Sequence, residues 1–79
     1  MPFTEDAYIS ALAFSPDARL IAVGQEDGSI QLVDVAAWEI VATWQAHKTA
    51  VTSLAFSPDG MVLVSASADG TIRFWGAGD

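Results

Sequence analysis

The chain has 79 residues, no cysteine and a formal net charge of −7, ten acidic side chains standing against Arg19, Lys48 and Arg73. That balance excludes nucleic acid and anionic membrane surfaces as partners, because both need Lys and Arg to displace counterions. With 52% hydrophobic and 16% charged residues, the chain is more apolar than ordinary globular domains, which hold roughly 45–50% and about 25%. A chain this short has proportionally more surface to cover, so its apolar side chains are expected to be covered by further copies of itself. The opening MPFTEDAY has neither the basic nor the apolar stretch of a signal peptide, and no apolar run reaches the length of a membrane span. Absence of cysteine fits a cytoplasmic location.

In chain order, the first expected element is a strand over Tyr8–Phe14, followed by the turn Ser15-Pro16-Asp17-Ala18. Strands then follow at Leu20–Gln25 and Ser29–Asp34, joined at Asp27-Gly28. Val35–Glu39 is the one place where a helical turn is arguable, and Trp38–Gln45 is an outer strand whose apolar residues alternate with polar ones. A second set runs through Ala50–Phe56, the turn Ser57-Pro58-Asp59-Gly60, Met61–Ser67, the pair Asp69-Gly70 and Thr71–Trp75. Each strand is short and rich in β-branched, Leu or aromatic residues. Proline presets φ in the Ser-Pro-Asp turns, and the Asp-Gly pairs read as two-residue hairpins with both residues at φ > 0. Val62-Leu63-Val64 and Ile72 with Phe74-Trp75 are apolar on both faces, which asks for a sheet above and a sheet below.

The two sets are one unit copied. Ile9–Asp34 returns as Val51–Gly76 after a shift of 42 positions, with nine of 26 aligned pairs identical, among them Leu12/Leu54, Phe14/Phe56, Asp17/Asp59, Asp27/Asp69 and Gly28/Gly70. A period of this length marks one supersecondary unit that cannot bury its own faces alone.

The residues Leu54-Ala55-Phe56-Ser57-Pro58-Asp59-Gly60 and Ser65-Ala66-Ser67-Ala68-Asp69-Gly70-Thr71-Ile72-Arg73-Phe74-Trp75 resemble those of the WD-repeat family of β-propellers. The resemblance implies an all-β fold of two four-stranded antiparallel blades per chain, the second lacking most of its outer strand, closing into a propeller only by oligomerisation. It divides the chain into residues 1–7, which complete a neighbouring chain's blade, blade 1 over 8–45, and an incomplete blade 2 over 46–79. It also implies a structural hydrogen-bond network joining His47, Ser65 (or Ser67), Asp69 and Trp75. In the first unit the corresponding positions are Glu5, Val23, Asp27 and Val33, so only the aspartate remains and no network is expected there. The family's terminal Trp-Asp pair is also incomplete, as Trp75-Gly76 and Val33-Asp34.

Counting by the period, the outer strand of the second unit would begin just past Asp79, and Met1–Thr4 match the end of an outer strand, Thr43–Ala46. Chains following one another around a ring would then miss only about five residue positions per junction, the difference between two periods of 42 and 79 residues. The expected subunit interface sets Pro2, Phe3 and Thr4 of one chain beside Ile72 and Phe74 of the next, covering an edge that would otherwise invite aggregation. The expected partner is the chain itself: a homotetramer giving eight blades is favoured, a homotrimer giving six blades comes second.

Ser65, His47 and Asp69 have the membership of a hydrolase triad, but a buried structural network explains them better, and no catalytic residue, cofactor or metal site is assigned. Glu5, Asp6, Glu26 and Asp27 form a candidate acidic rim, either a docking surface for a basic partner or a weak Ca²⁺ site. A solvated rim that keeps an apolar assembly dissolved is the plainer reading. Phe3, Tyr8, Trp38 and Trp44 read more simply as packing residues than as a ligand cage. The function expected is a non-enzymatic, self-assembling interaction scaffold. The alternatives are a fragment of a longer WD-repeat protein without activity of its own, and a propeller binding a small ligand or sugar.

Overall fold

In a computed structural model, residues 8–76 are described. Seven strands follow one another: β1 (Ile9–Phe14), β2 (Leu20–Gln25), β3 (Ser29–Asp34), β4 (Glu39–Gln45), β5 (Val51–Phe56), β6 (Val62–Ser67) and β7 (Ile72–Gly76). They form two antiparallel meanders, a four-stranded sheet in the order β1-β2-β3-β4 and a three-stranded sheet in the order β5-β6-β7. Among the described residues there is no helix; Val35–Trp38 is a turn, in which the Trp38 amide donates to Asp34 O at 2.7 Å.

The turns follow from side-chain oxygens that capture backbone amides. In Ser15–Ala18 the Ala18 amide donates to Ser15 O at 2.9 Å, Asp17 Oδ1 accepts from the Ser15 hydroxyl at 2.7 Å and the Arg19 amide at 3.1 Å, and the Leu20 amide donates to Ser15 Oγ at 3.0 Å. Ser57–Gly60 repeats this arrangement around Asp59. The fourth position of each turn is left-handed, at φ +61° for Ala18 and +75° for Gly60.

The Asp-Gly hairpins depart from the expected two-residue form. Gly28 N–H donates to Gln25 O and Gly70 N–H to Ser67 O, both at 3.0 Å, and only the glycines have positive φ, +88° and +87°. The loops are therefore three residues long, a tight turn closed by a left-handed glycine. The aspartate stays right-handed because its carboxylate accepts from the amide two residues on, Ser29 or Thr71, at 2.9 Å.

The two sheets stack face to face through β1 and β2 against β5. Residues paired directly across strands share a face, so Ala22, Ile30, Leu32 and Trp44 of the first sheet lie on the side that meets Leu54, Phe56, Leu63 and Trp75 of the second. Ala22, Ile30, Ala46, Val51 and Leu63 are buried at the centre of this interface. The opposite face of the first sheet carries Leu12, Phe14, Val23 and Val33, and that of the second carries Val64, Ala66, Ile72 and Phe74.

Ile72 and Phe74, expected at a subunit interface, are exposed, because among the described residues β7 is an edge strand and no strand stacks on its outward face. One expectation changes here. In β4 the register shifts so that Ala42 pairs with Leu32 but Ile40 with Val33; Ile40 and Trp44 therefore lie on opposite faces rather than together. The expectations for Met1–Ala7, including Pro2, Phe3, Thr4, Glu5 and Asp6, lie outside the described residues.

Candidate functional site

The densest polar arrangement is in the second sheet, built by β6, β7 and the loop that enters β5. Trp75 on β7 donates Nε1–H to Ser65 Oγ at 2.9 Å, and Ser65 Oγ lies 2.8 Å from His47 Nε2. His47 Nδ1 lies 3.1 Å from Thr71 Oγ1, which is 2.6 Å from Asp69 Oδ1. The ends fix the direction of the whole run. Indole N–H can only donate and a carboxylate can only accept. Thr71 spends its hydrogen on Asp69 and so accepts from His47 Nδ1–H; Nε2 is then bare and accepts from the Ser65 hydroxyl, which in turn accepts from Trp75. Every hydrogen has one acceptor, and a neutral Nδ1–H imidazole is the tautomer that fits.

His47 is 4% exposed and Ser65 fully buried. A triad reading fails on this geometry, because the hydroxyl is sealed from solvent and held by Trp75, and Asp69 does not touch His47. Thr71 stands between Asp69 and His47, so the aspartate is not the direct partner that the family resemblance implied. The alternative serine, Ser67, turns away toward Thr49 Oγ1 at 2.5 Å and Ala50 O at 3.1 Å. Hydrogen bonds from the Thr71 hydroxyl and amide hold the Asp69 carboxyl below the usual carboxylate range.

The His47 loop also grips the first sheet. The amides of Ala46 and His47 both donate to Gly28 O at 3.0 Å, and Gln45 Nε2 donates to Asp27 O at 2.6 Å and His47 O at 2.8 Å. The close seat explains Gly28: a Cβ there would collide with the His47 carbonyl and stand 2.8 Å from Thr49 O. Around Gly70, its repeat partner, nothing among the described residues lies within 4 Å of its own Cβ position.

In the first sheet, Val23 and Val33 occupy the positions of Ser65 and Trp75 and are fully buried, so apolar packing replaces the polar run. Asp27 Oδ1 accepts from the Ser29 amide, and the Ser29 hydroxyl lies 2.6 Å from both Asp27 Oδ1 and Gln25 Oε1. These bonds hold Asp27 below the usual carboxylate range.

Of the acidic rim, Glu26 and Asp27 are exposed on the β2–β3 loop. Among the described residues no three His, Asp or Glu side chains gather to hold a metal ion. The aromatic residues among those described form no common cage: Trp44 packs edge-on against Trp75 at 5.4 Å between ring centroids, while Tyr8 and Trp38 stand exposed. Thr71 and Ser10 are the functional side chains that sequence reasoning missed. Ser10 Oγ donates to Val51 O at 2.5 Å, tying β1 to β5 across the sheet interface. The recurrence of Ser or Thr two residues after each turn aspartate (Ser29, Thr71) was the available signal for the first.

Comparison with known proteins places these features. The family model "WD domain, G-beta repeat" matches residues 38–76, and that of the "Anaphase-promoting complex subunit 4 WD40 domain" matches residues 2–55. No match is found among curated proteins. Among solved structures, the crystal structure of the computationally designed Ika4 protein is similar, with a TM-score of 0.84 and 29% identity over 99% of this chain. The chain spans about half of that longer one, 46% of its length. With blade-like meanders, an internal period and family models that together run from residue 2 to residue 76, the chain belongs to the WD-repeat family of β-propellers.

Proposed function

We propose that the chain is a non-enzymatic, self-assembling β-propeller whose closed ring serves as a protein-interaction scaffold. One observation carries this reading: the apolar residues left bare on the two outward faces are the repeat partners of those packed between the blades. Leu54 and Phe56 of blade 2 pack against blade 1; their counterparts Leu12 and Phe14 are 56% and 60% exposed. Ile30 and Leu32 of blade 1 pack against blade 2; their counterparts Ile72 and Phe74 are 62% and 72% exposed. Each end of the two-blade stack thus offers the half of an interface that the other end lacks. Such head-to-tail contacts must close into a ring or run on as a filament.

The bare Gly70 supports the same arrangement. By the 42-residue shift, Thr4 and Glu5 of a second copy correspond to Ala46 and His47, whose amides donate to Gly28 O, so their amides would be matched to Gly70 O. Pro2, Phe3 and Thr4 would then run beside β7 near Ile72 and Phe74. Four chains, giving eight blades, are favoured over three, giving six; Glu26 and Asp27 would form part of an acidic rim open to a basic partner. Native mass spectrometry tests the reading. Four or three times 8.3 kDa is the expected result, and a well-folded monomer would overturn it. The span of less than half of the Ika4 chain favours a second reading, a two-blade piece of a longer propeller; that reading expects neither assembly nor a cooperative urea transition.

A further inference from the structure

We infer that the contact between copies does not repeat the contact inside a chain: Ala66 of one copy and Ile9 of the next hold their blades farther apart at one end. The ring then alternates a close step with an open one. This rests on the assembly proposed above and specifies its interface.

Inside the chain, β2 comes close to β5 because Gly24 has no side chain. A Cβ on Gly24 would lie 2.6 Å from Val51 Cγ1, 2.8 Å from Val51 Cβ and 3.2 Å from Leu54 Cδ1. Non-bonded carbons rest about 3.5–4.0 Å apart, so only glycine permits this approach. One repeat further on, Gly24 becomes Ala66 and Val51 becomes Ile9.

Both residues lie on the outward faces. Ala66 pairs with Ser53 and Ile72, and Ile9 pairs with Gln25. Copying the internal geometry onto a junction between chains would set a methyl where the internal interface has only hydrogen. It would face a side chain one carbon larger than valine. The overlap, roughly 1 Å by contact distance, involves a Cβ fixed to a strand on each side. Side-chain rotation therefore cannot relieve it, and the blades must part.

The end at which they part is fixed by the strands. Gly24 is next to last in β2 and Val51 is first in β5, so the pair lies at the end bearing the Asp-Gly loops. Farther along, Leu12 matches Leu54 and Phe14 matches Phe56 without change, while the side chains facing them change from Ala22 and Leu32 to Val64 and Phe74. Each junction between chains is therefore held open at the Asp-Gly end.

The test compares dissociation constants of the purified assemblies of wild type, Ala66→Gly and Ala66→Val in a dilution series followed by analytical ultracentrifugation. Ala66→Gly is expected to lower the dissociation constant about tenfold by removing the overlap, and Ala66→Val to raise it by a similar factor. Glycine otherwise weakens a strand, so a purely local effect would move the first variant the other way. Unchanged or looser association of Ala66→Gly, or tighter association of Ala66→Val, would overturn the inference while leaving the assembly standing. A monomeric wild type would overturn the assembly with it.

Discussion

Thr71 decides how the polar run of blade 2 is wired, since it alone joins His47 to Asp69. Thr71→Val keeps the shape of the side chain but removes both its acceptor and its donor. His47 Nδ1–H is then left without an acceptor at a buried site, which costs about 1–3 kcal/mol. Urea unfolding is expected to show a loss of that size, with a smaller one for Asp69→Ala, which leaves the Thr71 hydroxyl in place for His47. Equal losses would mean that the carboxylate rather than the hydroxyl supports the imidazole. His47, Ser65, Asp69 and Trp75 were legible because four unlike residue types stand at family spacing. Thr71 was not, because a threonine after Asp-Gly reads first as an ordinary strand residue.

Strands were easier to read than the turns between them. All seven appear within a residue of their expected limits, since alternation and β-branched content report directly on a pleated, half-covered surface. The hairpins gave less away: a three-residue loop and a two-residue one can share the same Asp-Gly pair, and a carboxylate that captures the next strand's amide decides between them. Ala18 was also hidden, as an alanine gives no sign that it will adopt φ +61°. The two glycine loops offer a sharp contrast. Gly28→Ala and Gly70→Ala meet the same backbone strain, about 1–2 kcal/mol, but only the first also drives a methyl into the His47 carbonyl. Gly28→Ala should therefore unfold at clearly lower urea concentration than Gly70→Ala, as read by far-ultraviolet circular dichroism. If chains assemble as proposed, the gap will narrow when the comparison is made at concentrations where Gly70 too is covered.

At the scale of the whole molecule, the acid response follows from the four turn aspartates. Asp17, Asp27, Asp59 and Asp69 are all held below the usual carboxylate range, first by a neighbouring hydroxyl and then by a backbone amide. Depressed values in the folded state mean that the unfolded chain takes up protons first. Their contribution is complete above the ordinary aspartate value, about pH 4, and is lost as pH falls through the folded values. Melting temperatures should therefore be insensitive to these groups from pH 7 down to about 5 and decline below about pH 4. A fall centred above pH 5 would assign the acid response to other groups. The sequence announced the excess of apolar surface in composition alone, yet it could not show which faces stay bare, because that depends on cross-strand register and on the stacking of β5 on β1 and β2.

The His47 loop has a consequence for how the chain comes apart. Its backbone amides belong to Gly28 of blade 1, and its imidazole belongs to Ser65 and Thr71 of blade 2. Repeats that meet only through side-chain contact can open one at a time, each with its own free energy. Here neither blade can open without stripping partners from the loop that the other still holds. The pair is latched by this loop and behaves as one thermodynamic unit rather than as two copies in series.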